Sequence, residues 1–277
     1  MRRPVVQMIV WLALMAVFTL LAMGGWLLFS GGSQSTASLK WLQLAQTIGT
    51  FIVPALLGAW LWNDHKPFAW LRLNRSVSWQ TVVFCIAIMV CAIPAINLLA
   101  DLNGRIVLPQ CLESVEQFLR AQEDAAAKLT ERFLQADNVG MLLVNLGLMA
   151  FLPALAEETS FRGTLQQLLG NRHAAIWVTA FIFSAIHMQF YGFIPRMLMG
   201  AMFGYIFVWT GSLWAPVLMH FVNNGIAVIA YYFANEEMDT IGTGQMWWVG
   251  VLSLIVVSVL LYFLQKRMAC EKRTPFF

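Results

Sequence analysis

Three short runs of this sequence hold residue types that hydrolytic chemistry uses: Glu157-Glu158-Thr159-Ser160-Phe161-Arg162, Phe183-Ser184-Ala185-Ile186-His187 and His220-Phe221-Val222-Asn223-Asn224. Each interrupts or ends an apolar stretch. An ionisable side chain inside a membrane span costs at least ~2.5 kcal/mol and persists mainly where it faces protein or a water-filled cavity. A carboxylate can take a proton from water, an imidazole can take or give one, and an amide can donate a hydrogen bond to an oxygen that becomes negative. Together they form the inventory of a site that hydrolyses a carbonyl compound.

Helical spacing sorts these groups. Side chains four apart share a helix face, so Glu158 is expected to pair with Arg162, while Glu157 projects elsewhere and is free to act as a base. By the same spacing, His220 and Asn224 address one point in space. Each run also has a plainer account: a juxtamembrane charge cluster for Glu157, Glu158 and Arg162, and interhelical hydrogen-bonded clasps for His187 and for His220 with Asn224. Depth argues for one site. About a turn near Arg172, Glu157 and His187 are each fifteen positions away, or roughly 22 Å along two antiparallel helices at the α-helical rise. His220 and Asn224 follow the next turn, near Gly211, at similar heights.

The elements that position these residues follow from composition. The chain has 277 residues, of which 60% are hydrophobic and 11% charged, whereas about a quarter of an average soluble protein is charged. There are too few polar residues to clothe a water-soluble core, so lipid has to supply the apolar contact. Eight apolar runs, near 5–29, 41–63, 80–100, 140–161, 174–190, 194–210, 213–234 and 246–265, approach the roughly 20 residues a helix needs to cross the hydrocarbon. The fifth and sixth are short. Backbone groups in lipid must be satisfied internally, and these runs lack the alternation of barrel strands. The expected fold is all-α, a polytopic membrane helix bundle with about eight transmembrane helices. Arg2 and Arg3 precede a first run too long for a signal-peptide core, which reads as a retained span.

The expected organisation is 1–139 as N-terminal membrane helices with an outer amphipathic segment, 140–234 as the catalytic core, and 235–277 as a last span and basic tail. Segment 101–139 places Leu112, Val115, Phe118, Leu119, Leu129, Phe133 and Leu134 at helical spacing among charges, which predicts a surface helix. With an even number of spans, the termini share a side with Lys66, Arg72, Arg75, Arg162, Arg172, Lys266, Arg267, Lys272 and Arg273. The other side holds Lys40, Arg105, Arg120, Lys128, Arg132 and Arg196, with Glu236, Glu237 and Asp239 among its acids. The excess of cations predicts that both termini are cytoplasmic. A net charge of +3 with no basic stripe argues against nucleic acid as a partner. Cys85, Cys91, Cys111 and Cys270 have no metal-type spacing and are assigned no chemistry.

In order and spacing, the three runs resemble the motifs Glu-Glu-x-x-x-Arg, Phe-x-x-x-His and His-x-x-x-Asn of the CAAX protease and bacteriocin-processing family (CPBP, or ABI), which includes the Rce1-like prenyl-protein proteases. The resemblance implies an intramembrane endopeptidase of the bacterial inner membrane, acting on a peptide or membrane-protein substrate. In that family pattern Glu157 and His187 activate a water, and His220 with Asn224 form the oxyanion hole. Glu158 and Arg162 support Glu157, and Phe183 packs the cavity wall. No cofactor is implied. Two alternatives use the same residues: a zinc protease, because two His and one Glu form a familiar zinc set, and a non-catalytic transporter or scaffold.

Overall fold

The computed structural model of the chain describes residues 4–170, 173–234 and 241–271, and among these there are helices and turns but no strands. The longer helices are α1 (Pro4–Ser30), α2 (Thr36–Trp62), α3 (Trp79–Gly104), α4 (Glu113–Leu134), α5 (Val139–Leu169), α6 (His173–Ala185), α7 (Phe193–Thr210), α8 (Trp214–Ala234) and α9 (Trp247–Glu271). The protein is an all-α polytopic bundle. Among the described residues, seven helices are long and apolar enough to cross a membrane, and α6, at 13 residues, is shorter. The fifth apolar run is the one that falls short, because its helix stops at Ala185 rather than continuing to residue 190. Arg2, Arg3, Arg172, Glu236, Glu237, Asp239, Lys272 and Arg273 lie outside the described residues.

The bundle pairs α3 with α9, α6 with α7, and α8 with both α3 and α5. Its largest buried cluster gathers Ile88 and Met89 of α3, Phe203 and Ile206 of α7, Met219 of α8 and Leu264 of α9. Lipid-facing surfaces stay apolar: in α1, Trp11 is the buried residue, while Leu20, Leu28 and Phe29 are exposed. Helix α4 buries Phe133 and Leu134 at its end, while Val115, Phe118 and Leu129 of the same apolar stripe are exposed. Arg132 ties its end to α2 through Thr36 Oγ1 at 2.9 Å.

Two features of the long helices shape the interior. Helix α5 contains two π-helical stretches, 146–151 and 161–166, on either side of an α-helical stretch, 152–160, that carries Glu157 and Glu158. Such wide turns rotate the residues that follow them and are common at functional sites. Helix α7 places Gly200 and Gly204 on one face, and small residues at this spacing let helices approach closely. Arg162 Nη2 donates to the Gly200 carbonyl at 2.9 Å and Gln166 Nε2 to the Gly204 carbonyl at 3.1 Å. The two glycines thereby dock the second π-helical stretch of α5 onto α7.

Candidate active site

The π-helical continuation of α5 keeps Arg162 beneath Glu158, and their salt bridge, Nη1 to Oε1 at 2.8 Å, is fully buried on both sides. Removing two charges from water is costly unless the remaining polar atoms are also paired, and here Glu158 Oε2 and Arg162 Nε are buried without a hydrogen-bond partner among the described residues. The Arg162 guanidinium lies 4.6 Å from the Phe183 ring centroid and 5.5 Å from that of Phe203, in contact with the negative faces that attract cations.

His220, from α8, meets the same carboxylate. Its Nδ1 lies 2.9 Å from Glu158 Oε1, and its Nε2 lies 3.9 Å from Glu157 Oε2. The imidazole therefore spans both glutamates. A carboxylate only accepts, so Nδ1 carries the proton given to Glu158, and Nε2 faces Glu157. Phe203 stacks on the ring at 5.5 Å and 28°. Glu158, expected to support Glu157, is thus also the group that orients His220. Spacing within either helix does not reveal this role, because contact between α5 and α8 is set by packing.

His187 enters from a different kind of element than expected. It lies two residues beyond the end of α6, in the turn that leads to α7. Its Nδ1 donates to the Phe183 carbonyl at 2.7 Å, which leaves Nε2 as an acceptor for a water proton. The ring packs edge-on against Phe183 with centroids 5.1 Å apart and lies within electrostatic reach of Glu157, Arg196 and His220. Phe183 thus contacts Arg162, His187 and His220, more than the wall-packing role expected of it.

Asn224 lies one turn beyond His220 on α8 and is half-buried. Its Oδ1 accepts a hydrogen bond from Asn223 Nδ2 at 3.2 Å. With that oxygen engaged, the Asn224 NH2 is left to donate. Asn223 projects from another helix face, yet the adjacent amides touch.

Glu157 differs from Glu158 in exposure, with 18% of its side chain accessible against none for Glu158. Two neighbouring carboxylates thus occupy two environments, one locked in a buried network and one partly exposed. Among the described residues, no group of three or more His, Cys, Asp and Glu side chains is placed to hold a metal ion.

Residues 139–226, which include every residue of the three motifs, match the family model of the Rce1-like type II CAAX prenyl endopeptidases. The chain is also similar to the uncharacterized protein YpbD of Bacillus subtilis (strain 168), at 30% identity over 95 residues, covering 33% of this chain and 48% of that protein. The match therefore spans about half the length of that relative. No solved structure matches the chain.

Proposed function

We propose that this membrane protein, Rce1-like over residues 139–226, is an intramembrane endopeptidase that hydrolyses a peptide bond of a membrane-associated protein or peptide. The observation that carries the reading is the imidazole of His220 held between a buried, Arg-paired Glu158 and an accessible Glu157, at 2.9 and 3.9 Å. A structural clasp needs only one acceptor per imidazole. The second, open carboxylate is what a reaction with water requires.

In the proposed mechanism, Glu157 takes a proton from a water whose second hydrogen bond goes to Nε2 of His187. The oxygen of that water bonds to the substrate carbonyl carbon, and the carbonyl oxygen gains the negative charge. The Asn224 NH2 donates to that oxygen, and His220 Nε2 donates when it carries the ring's second proton. Preorganised donors of this kind are each worth roughly 3–4 kcal/mol. The proton held by Glu157 then passes to the leaving amine as the C–N bond breaks. Glu158 and Arg162 fix His220 and offset its charge. In this reading both termini are cytoplasmic, and the membrane is a bacterial inner membrane.

The test compares membrane peptides by mass spectrometry from cells making wild-type protein and Glu157→Ala. A product that depends on Glu157 identifies the substrate and supports the reading. Identical peptide sets, together with failure of the purified protein in liposomes to cleave an internally quenched prenylated CAAX peptide, would overturn it. Cleavage should survive thorough chelation; loss with rescue by added zinc would replace the glutamate mechanism with a metal one.

A further inference from the structure

His187 stands outside any helix: its amide and that of Met188 still bond back to the Ser184 and Ala185 carbonyls at 3.4 and 3.1 Å, but the residues that follow have to find their hydrogen-bond partners elsewhere. The next residue, Met188, has φ 54°, a left-handed conformation that a non-glycine residue keeps only where its surroundings impose it. Those surroundings come from three helices. Asn103, buried at the end of α3, donates from Nδ2 to the Phe190 carbonyl at 3.0 Å and accepts at Oδ1 from the Ile194 amide at 2.8 Å. Glu123, on α4, accepts the Tyr191 amide at 3.1 Å, and Arg120 lies 4.2 Å over the Tyr191 ring. Arg196, on α7, donates to the Gln189 side-chain oxygen at 2.6 Å and is within electrostatic reach of both Glu123 and Glu157. None of these residues belongs to the three motifs.

We propose that Asn103, Glu123 and Arg196 are positioning residues: a clasp that holds the turn at 187–192 and the start of α7 so that His187 faces Glu157. The inference rests on reading His187 as part of the hydrolytic site. Water activation tolerates little displacement of Nε2, and a residue carried on a loop keeps its place only through the partners of that loop. The clasp also gives α4 a part in the chemistry. This helix reaches the catalytic turn through Glu123 and Arg120, so lifting it from the bundle releases Tyr191 and loosens His187.

The full-length protein in nanodiscs provides the test, with Asn103→Ala, Glu123→Ala and Glu123→Gln compared with wild type. Amide hydrogen exchange at 189–194 is expected to accelerate about tenfold or more in the two alanine variants, with α8 unchanged, as a local opening does. Glu123→Gln, which keeps an acceptor for the Tyr191 amide, should stay near wild type. On the quenched prenylated peptide, kcat of the alanine variants should fall about tenfold with KM within about twofold, as losing the support of a reacting group does. Unchanged exchange would overturn the clasp; faster exchange with unchanged kcat would overturn its catalytic importance. Equal cleavage by wild type and Glu157→Ala would instead sink the hydrolytic reading, while the exchange comparison still decides whether the clasp exists.

Discussion

Oε1 of Glu158 lies 2.9 Å from His220 Nδ1 and 2.8 Å from Arg162 Nη1, so one buried oxygen ties α8 to α5. Removing one member of such a network leaves a charge buried without its partner, which typically costs ~3–5 kcal/mol. Glu158→Ala and Arg162→Ala should both lower the thermal unfolding midpoint in detergent strongly. Glu157→Ala should shift it little, since that side chain is partly open and its nearest ionic contact is 3.9 Å away. The two adjacent glutamates are thereby separable, one by stability and the other by cleavage.

The Asn223–Asn224 contact orders a second pair of effects. If Asn224 is the donor and Asn223 fixes its amide, Asn224→Ala should reduce kcat by about 10²–10³-fold, the usual loss for one oxyanion donor. Asn223→Ala should cost less, because the Asn224 amide is freed to rotate but is still present. Steady-state kinetics on the same peptide distinguishes the two, and a larger loss at Asn223 would reverse their roles.

Gly204 tests the docking of α5 on α7. A Cβ there would sit 2.6 Å from Gln166 Oε1 and 2.8 Å from Ile176 Cγ2, whereas at Gly200 the nearest atoms, from Arg162, Phe183 and Ala180, are at 3.1–3.3 Å. Overpacking of this kind typically costs ~1–3 kcal/mol. Gly204→Ala should therefore destabilise more than Gly200→Ala. Gly200→Ala should still impair cleavage, because it presses on Arg162 and Phe183. Denaturation and cleavage measured on the same preparations separate the two effects.

Acid should loosen α4. The Arg120 side chain and then the Leu108 amide hold the Glu116 carboxyl below the usual glutamate range. A depressed folded-state pKa gives stability that is present above the ordinary value and is lost as pH falls through the depressed one. Exchange at 108–120, the start of α4 and the segment before it, should thus accelerate, after correction for intrinsic rates, only below the ordinary glutamate range, and Glu116→Gln should remove that dependence. A loss of protection centred near neutrality would mean that a histidine controls the helix instead.

What the sequence determined by itself was the class of fold and the chemical inventory. Runs of apolar residues without alternation admit only helices in lipid, and spacing of four put Arg162 under Glu158, because both facts are local to one segment. Tertiary structure decided the rest. That His220 bridges to Glu158, that Asn223 touches the amide of Asn224, and that His187 leaves its helix to be held by Asn103, Glu123 and Arg196 all depend on which faces of separate helices meet. Hydrophobic periodicity in lipid says only that a segment spans. The rotation and height at which helices pack are set by small residues such as Gly200 and Gly204 and by wide turns such as 161–166, whose effect appears only once the partner helix is in place.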